Sequence, residues 1–550
     1  MQHKKKWEVW TGISLALLLL MAVFLIYPLL QVVKQSVITK EGSFSLAEFE
    51  KFFSQPYYFR TIFNSFKVSL STTVFSLILA IPLSYFYSFY KLKAAKPLFV
   101  ISILCAMSAP FIGAYSWIML LGRSGEITLF LKEAFGISTP SIYGFGGIVF
   151  VQSLKLFPLV FVYMNGAFKN IDNSLMEASA NMGVTGVRRF FKIVLALSMP
   201  TMLAASLMVF MQAFADFGTP LLIGEGYRTF PVEIYNQYLG EGGGNHNFAA
   251  AISVIAIVVT AIVFFIQKWA TNKFKFSINA LHPIQKKRPK GLGAVLMHLY
   301  AYLLIGVAFL PQLYIILLSF RNSDGAVFKA GYSLGNFAMA VKRLLWRSIN
   351  NTLVIGLSAL ALIIIFAVLI AYLVVRRSSA LNNTIDTMSM IPYILPGSVI
   401  GIALVITFNT EPLVLTGTMA IMVISLVIRR MPYTVRSAVA TLMQITPSIE
   451  EASISLGSSK LKTFAKITVP MMTSGILSDA VLSWVAIVTE LSSAIILYNN
   501  KTITLTMSAY VAISRGNYGL AAAFSTILTV ITMVSLLLYL LISKAEDVRL

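Results

Sequence analysis

Four ionisable residues stand within or beside long apolar stretches, where charged side chains are costly to bury and commonly functional. Lys155 and Arg429 are 274 positions apart, and so are Asp216 and Glu490. A cation and a carboxylate therefore recur with one spacing in two parts of the chain. They can form buried salt bridges or helix-cap contacts that fix a helix bundle. Alternatively, they can line a path through a membrane, with Asp216 and Glu490 at its outer mouth. The sequence leaves both interpretations open.

Other residue patterns that carry chemistry are missing from the sequence. There is no G-x-x-x-x-G-K-[ST] phosphate loop, and the 4 histidines show no metal-ligand spacing. We therefore predict no catalytic residue, no metal site and no cofactor in this chain. The net charge of +22 does not indicate nucleic-acid binding, because the basic residues lie mostly in short loops between apolar stretches, where they set membrane orientation.

A short helical loop occurs twice in the chain, again 274 residues apart. The repeated residues are Glu177, Ala178, Gly183 and Ile193 in the first copy and Glu451, Ala452, Gly457 and Ile467 in the second. Ser174 and Ser448 each stand three residues before the Glu, which predicts a capping box at the start of each helix. Each Gly can take the left-handed conformation that ends a helix. A short helix of this kind, facing water, needs a partner groove in which to lie.

The elements that position these residues are membrane-spanning helices. Hydrophobic residues make up 57% of the 550-residue chain and charged residues 12%, about half the charge of a soluble protein. The chain contains apolar runs of more than 20 residues, which can cross a bilayer only as helices, so we predict an all-α polytopic protein. About twelve spans are expected, near 9–32, 66–89, 97–121, 145–168, 191–215, 248–270, 294–319, 351–375, 385–407, 413–437, 467–489 and 519–543. The spans at 97–121 and 385–407 contain Gly and Pro, which predicts that they are broken or re-entrant.

The distribution of Lys and Arg predicts that both termini and both repeated loops face the cytoplasm. Six spans in each half give the halves the same orientation, related by an axis along the membrane normal. Residues 60–65 resemble 347–352, and residues 244–251 resemble 516–523, as expected for a duplication. We therefore predict two tandem six-helix domains in a parallel pseudo-twofold arrangement, at 1–272 and 294–550, joined by a basic cytoplasmic linker at 273–293.

The repeated loops, at 171–200 and 445–474, resemble the EAA loop of ABC importer permeases, which reads E-A-A-x-x-x-G, then nine further residues, then I-x-L-P. The second copy fits through Val469-Pro470, whereas the first has Ala196 in place of the proline. The resemblance implies a type I importer permease in the bacterial cytoplasmic membrane. It implies two ATPase subunits, which carry ATP and Mg, docked on the loops. It also implies an external binding protein docked on the outer loops 34–62, 216–246, 322–348 and 499–517.

The segments Asp216-Phe217-Gly218-Thr219-Pro220 and Glu490-Leu491-Ser492-Ser493-Ala494 resemble those of ferric-iron permeases. This resemblance implies ferric iron as the cargo. The same architecture also serves phosphonates, sugar phosphates, thiamine and polyamines. The charges do not decide the identity of the cargo, since Lys155 and Arg429 favour an anion while Asp216 and Glu490 favour a cation. An ATP-independent secondary transporter or channel is the alternative of a different class.

Overall fold

The computed structural model describes residues 9–39, 41–106, 109–240, 244–273, 282 and 284–542. The first helices are α1 Val9–Met21, α2 Tyr27–Val37, α3 Ala47–Ser54, α4 Pro56–Phe89, α5 Ala95–Ala106, α6 Pro110–Leu121, α7 Glu126–Phe135, α8 Phe145–Lys169, α9 Asn173–Asn181, α10 Gly186–Arg189, α11 Leu195–Leu197, α12 Met199–Phe214, α13 Gly218–Ile223 and α14 Phe230–Leu239. Then follow α15 His246–Lys273, α16 Gly291–Phe320, β1 Arg321–Asp324, β2 Val327–Tyr332, α17 Gly335–Arg343, α18 Leu345–Arg376, α19 Ala380–Met390, α20 Gly397–Phe408, α21 Met419–Met443, α22 Pro447–Ser455, α23 Lys460–Thr463, α24 Val469–Val488, α25 Ala494–Leu497, α26 Leu505–Ser514 and α27 Tyr518–Ile542. Three π-helical turns, Ala22–Ile26, Phe190–Val194 and Phe464–Thr468, and a 3-10 turn, Ile391–Ile394, complete the helical segments.

Over the described residues, 7 helical segments are long and apolar enough to cross a bilayer, and the number rises to 11 if each bent helix pair is one span. The unbroken segments are Val9–Val37, Pro56–Phe89, Phe145–Lys169, His246–Ile266, Gly291–Phe320, Leu345–Arg376 and Tyr518–Leu538. The predicted twelve are therefore not confirmed. The segment predicted at 413–437 is helical as α21, but Arg429, Arg430 and Arg436 keep it from qualifying as a plain apolar span.

The two spans predicted to be broken are indeed broken. The chain bends by 99° between α5 and the helical segment that follows it, and by 112° between α19 and α20. Pro110 opens α6, and Pro396 is the N-cap residue of α20. A proline cannot donate a backbone hydrogen bond and restricts the residue before it, so it commonly marks the end of a continuous helix. This prediction is confirmed.

One small departure from an all-α fold is a two-stranded sheet formed by β1 and β2, which the sequence did not predict. It lies between the spans α16 and α18. Lys329 bridges the hairpin to Asp324 at 2.8 Å between Nζ and Oδ2. This hydrogen bond from the ammonium lowers the pKa of the exposed Asp324 carboxyl.

The helices form two compact units that do not follow the sequence halves. The N-unit contains the described residues of Phe52–Glu233 and Val258–Arg321. The C-unit contains those of Met1–Lys51, Ile234–Ile257 and Asn322–Val548. Domain boundaries at 272 and 294 stay a prediction about the sequence repeat. The predicted positions of the two termini, and most of the 274–283 part of the linker, lie outside the described residues.

Small polar residues allow close helix packing inside the N-unit. One face of α4 buries a series of hydroxyl side chains, among them Ser65, Ser69, Thr72, Thr73, Ser76 and Ser84. Several of these hydroxyls donate to the carbonyl one turn earlier, as Ser69 does to Ser65 at 2.6 Å. Such small residues let helix backbones approach closely, and a hydroxyl that donates to its own helix stays hydrogen-bonded. Accordingly, α4 packs along α8 and α12.

The C-unit takes its first helix from the start of the chain. Trp10, Leu17 and Met21 of α1 are buried in a cluster with residues of α18, α19, α21 and α24. The Ser14 hydroxyl donates to the Asn382 side chain on α19 at 2.7 Å. The N-terminal helix is therefore packed against elements of the second sequence half.

Repeated hydrogen bonds show that the two halves build the same local structure. In each half, an Asn in a long helix (α4 or α18) donates to a distant backbone carbonyl. The residue after that Asn accepts from the backbone N–H of the first residue of a ten-residue helix. The bonds are Asn64 to Arg228 at 2.9 Å and Phe230 to Ser65 at 3.0 Å in the first half, and Asn351 to Ile503 and Leu505 to Thr352, both at 2.9 Å, in the second. Helices α14 and α26 therefore occupy equivalent places in the repeat.

Candidate functional site: two repeated loops and two polar clusters

The two repeated loops fold alike at their C-terminal ends. Helices α9 and α22 are followed by Gly183 and Gly457, at φ +76° and +89°. The next residue in each loop donates back to the carbonyl five positions earlier, Val184 to Ser179 at 2.8 Å and Ser458 to Ser453 at 3.1 Å. This is the Schellman arrangement, which needs a left-handed residue without a Cβ clash. The prediction that glycine ends each helix is confirmed.

The predicted capping boxes are wrong. Helix α9 begins two residues earlier than expected, with Asp172 as its cap, and Oδ1 of Asp172 accepts from the Ser174 N–H at 2.9 Å. Glu177 instead accepts from the Asn173 side chain at 2.7 Å. In the second loop Pro447 occupies the first turn of α22, and Thr446 makes no side-chain cap bond. A proline at this position has no N–H of its own to satisfy and a φ suited to the helix, so it favours the start of α22 without a side-chain cap.

The cap of the first loop also holds the linker. Asp172 Oδ2 accepts from the His282 N–H at 3.0 Å, and the Asn173 N–H donates to the His282 carbonyl at 2.9 Å. Further along, the Lys286 ammonium donates to the Tyr87 carbonyl at 2.9 Å. Burial lowers the pKa of Lys286, and repulsion from the Lys169 ammonium lowers it further. The described part of the linker is thus tied to the loop helix and to the end of α4.

Both loop helices bury one face and expose another. Ser179 and Ser453, at the third position of the motif, are buried, which explains why a small residue stands there. The motif residues Glu177, Ala178, Glu451 and Ala452 are exposed, while Ile193 and Ile467 are half-buried in the π-helical turns that follow. The motif's Glu and Ala residues are thus available to another molecule.

Large apolar side chains are also exposed at equivalent positions of the two loops. Met182 is 81% exposed and its counterpart Leu456 is 89% exposed. The other matched pairs are Leu175 with Ile449 and Val187 with Leu461. Large exposed apolar side chains that recur in both loops favour an interaction surface.

An ion pair that the sequence analysis missed fixes the second loop. Glu450, next to the motif residue Glu451, is buried and accepts from Arg376 Nε at 3.0 Å. Arg376 also donates to the Ile445 carbonyl at 2.6 Å, just before α22. The first half has Met176 in place of Glu450, so the sequence repeat gives no sign of this pair.

Aromatic contacts connect each loop to a long helix. Phe190 lies 4.9 Å from Tyr85 between ring centroids, and Phe464 lies 4.7 Å from Tyr372. Trp10 of α1 completes the second cluster, 5.2 Å from Phe464 and 4.5 Å from Tyr372. A displacement of either loop would therefore shift the aromatic side chains of α4 or α18 that it contacts.

The second-half charges form a closed cluster within the C-unit. Arg429 pairs directly with Glu490, and Arg430 pairs with the other carboxylate oxygen at 3.1 Å. Oε1 of Glu490 also accepts from the Ser492 hydroxyl at 2.7 Å and from the Ser493 N–H at 3.2 Å. The Glu490 side chain is 5% exposed. The cluster ties α21 to the turn after α24.

A glycine makes room for this cluster. A Cβ at Gly397, the first residue of α20, would overlap the Arg429 guanidinium and the Ser492 hydroxyl. Glycine is therefore required for this close approach. Beside the cluster lies a cavity of about 20 Å³, room for about one water molecule, lined in part by Glu490, Ser425 and Ser493.

The first-half carboxylate has different partners. Oδ2 of Asp216, which is half-buried, accepts from the Gln152 side-chain amide at 2.9 Å. Oε1 of Gln152 accepts in turn from the Thr72 hydroxyl at 3.0 Å. Lys155 is half-buried one turn further along α8. Sequence reasoning missed Gln152, Arg430 and Gly397. The signal available for the first two was a polar residue beside a predicted intramembrane cation.

Comparison with known proteins matches this architecture to a family. Residues 68–276 and 363–549 both match the family described as binding-protein-dependent transport system inner membrane component. The chain is 29% identical over 538 residues to the ferric transport system permease protein FbpB of Actinobacillus pleuropneumoniae, covering 96% of this chain and 77% of the relative. It is 30% identical over 498 residues to the putative ferric transport system permease protein FbpB 1 of Haemophilus influenzae, covering 89% of this chain and 78% of the relative.

A shorter relative is named for a different cargo. The spermidine/putrescine transport system permease protein PotB of Haemophilus influenzae is 26% identical over 257 residues, which is 44% of this chain and 87% of the relative. The double family match explains the internal repeat, and the helical segments described above fit a multi-pass protein of the bacterial inner membrane. The chain belongs to the binding-protein-dependent transport system inner membrane components and is a fused, two-domain ABC importer permease.

Proposed function

We propose that this permease forms the translocation pathway of an ATP-driven importer for ferric iron, which an external binding protein delivers. The observation that carries the proposal is the pair of Gly-capped loop helices with matched exposed residues. Two such loops fit two ATPase subunits, or one ATPase homodimer, at the cytoplasmic face. ATP and Mg would be bound by those subunits. Closure of the ATPases would move the loops, and the aromatic contacts would pass the movement to the bundle.

The loop surface has the composition of a docking site. Each helix presents an exposed Glu and Ala beside exposed apolar side chains, with Leu175 and Met182 in the first loop and Ile449 and Leu456 in the second. An amphipathic helix that lays its apolar side chains into a groove is a recurrent mode of protein recognition. The glycine at the end of each helix fixes the direction in which the chain leaves the groove.

Ferric iron is proposed as the cargo because the two relatives that cover most of this chain are named ferric transport permeases. A phosphonate, sugar phosphate, thiamine or polyamine importer of the same architecture is the alternative, and the shorter likeness to a spermidine/putrescine permease supports keeping it. A transporter or channel without an ATPase would not need the exposed loop helices.

We propose that the segments around Asp216 and Glu490 border the pathway, with Lys155 and Arg429 deeper in. Asp216 is half-buried and holds a neutral amide, so its charge is the more accessible of the two. Glu490 is enclosed by two arginines and serves first to hold α21 and α24 together.

Charge introduced on the loop surface tests ATPase docking. Met182→Asp combined with Leu456→Asp should abolish co-purification of ATPase activity with the permease from membranes of its own host. The physical reason is that two carboxylates would have to be desolvated in an apolar groove. Both residues are more than four-fifths exposed, so insertion and thermal stability should not change.

The matched control is Val327→Asp, which changes a 62% exposed apolar residue in the hairpin strand β2. This variant should retain the ATPase. Full ATPase recovery with the loop double variant, or equal loss with the control, would refute the docking surface.

A further inference from the structure

Helices α14 and α26 are a repeated pair that the loops and charge clusters do not explain. Each has ten residues, from 230 to 239 and from 505 to 514, and each precedes the last long helix of its half. A helix of ten residues is about 15 Å long, half the thickness of a bilayer's hydrocarbon core. Both helices are therefore too short to cross the membrane.

The register between these two helices is fixed by the contacts at their starts. The Phe230 N–H is held by Ser65, and the Leu505 N–H is held by Thr352 in the same way. This register of 275 residues makes Tyr235 and Tyr510 equivalent positions of the repeat. The two helices therefore present the same residue type at the same place.

These two equivalent tyrosines touch each other. The Tyr235 and Tyr510 hydroxyl groups share a hydrogen bond, and both residues belong to the C-unit. Residues related by a twofold-like repeat can be in contact only where they lie next to the axis that relates them. A pathway shared by two repeats runs along that axis. All three tyrosines of this neighbourhood, Tyr235, Tyr510 and Tyr498, are only half-buried, as expected of side chains that border a passage.

The third tyrosine connects the pair to the charge cluster. Tyr498 lies in the neighbourhood of both Tyr235 and Tyr510. It directly follows α25, whose preceding residues Ser492 and Ser493 are held by Glu490. The cluster around Glu490 therefore fixes the segment that carries Tyr498.

We propose that Tyr235 and Tyr510 are the gate of the translocation pathway, placed on the axis of the repeat beside Tyr498, and that they separate to admit cargo. This inference rests on the proposed function. By the predicted topology, α14 and α26 precede spans that begin at the outer face, so the gate is the outer one. The hydrogen bond between equivalent residues stabilises the closed state and breaks when the helices part.

Reversible cross-linking tests the gate directly. The chain has one cysteine, the buried Cys105, so Cys105→Ala gives a cysteine-free background. Tyr235→Cys and Tyr510→Cys are then joined in the assembled transporter by a cleavable bifunctional thiol reagent long enough to replace two tyrosine rings. Cross-linking should be efficient in the resting complex and fall several-fold in the complex trapped with ATP and vanadate. The linked transporter should lose uptake and recover it after reduction.

Each single-cysteine variant, treated with the same reagent, is the control and should transport throughout. A second comparison needs no cross-link. Tyr235→Phe with Tyr510→Phe removes the hydrogen bond but keeps both rings, and it should raise the passive ion leak of vesicles that contain the resting complex. Tyr238→Phe removes one hydroxyl from the same helix and should leave the leak unchanged.

Equal cross-linking in the resting and trapped complexes, or uptake that continues with the linker in place, would overturn the gate. The cargo assignment fails separately. If the wild-type complex moves no ferric iron but the cross-link still disappears on trapping, the gate stands and the cargo is another molecule.

Discussion

Glu451→Ala is expected to abolish uptake while the permease still inserts, folds and keeps its thermal stability. Glu451 lies on the exposed face of α22, so its removal costs the fold little. At a docked interface, by contrast, truncation of a hot-spot residue costs about 2 kcal/mol or more, roughly a thirtyfold loss of affinity. Uptake and ATPase co-purification should both fall, whereas thermal unfolding in detergent should match the wild type.

The neighbouring residue provides the matched control. Glu450→Gln changes a buried carboxylate that pairs with Arg376 inside the bundle. Loss of one partner of a buried ion pair costs about 3 kcal/mol or more, so this variant should unfold at a lower temperature. Two adjacent glutamates should thus give opposite results. Normal uptake with Glu451→Ala, or equal destabilisation by the two variants, would contradict the assignment of the exposed face to docking.

Glu490→Gln is expected to be the most destabilising of the conservative changes to the buried charges. It would leave the Arg429 and Arg430 guanidinium groups facing a neutral amide, with Glu490 only 5% exposed in the native structure. Removal of one partner from a buried ion pair costs about 3–5 kcal/mol. The yield of folded protein and the midpoint of thermal unfolding should both decrease clearly.

Asp216→Asn is the comparison in the first half. Asp216 accepts one hydrogen bond from the Gln152 amide, and an asparagine oxygen can accept the same bond. This variant should fold normally, and by the proposed pathway role it should lose uptake. A Glu490→Gln protein as stable as the wild type would show that the cluster does not hold the bundle. Normal uptake with Asp216→Asn would remove this residue from the pathway.

The predictions from sequence succeeded where local chemistry decides the structure. Gly183 and Gly457 end their helices as expected, because only a residue without a Cβ takes the left-handed conformation at little cost. The breaks near Pro110 and Pro396 follow from proline's missing N–H and fixed ring. The length of each apolar run located most of the spans, because a helix must be about 20 residues long to cross the hydrocarbon core.

The predictions failed where two nearby residues could each cap a helix, and where the structure depends on contacts between residues far apart in the sequence. At the first loop, Asp172 took the cap position that Ser174 was expected to fill. At 413–437 the apolar run was interrupted by arginines whose partner, Glu490, lies about 60 residues away. The repeat does not predict the Arg376–Glu450 and Gln152–Asp216 contacts, because the residues that form each of them occur in one half only. The packing of α1 in the C-unit follows from contacts that no periodicity encodes.

The most direct test of the central claim is uptake of radiolabelled ferric iron by iron-starved cells that carry or lack this gene. We expect deletion to remove high-affinity uptake, the wild-type gene to restore it, and the Glu451→Ala gene to fail. That result would establish the cargo and the dependence on the loop together. Unchanged iron uptake in the deletion strain would contradict the assignment of ferric iron and leave an ABC importer permease for one of the alternative cargoes.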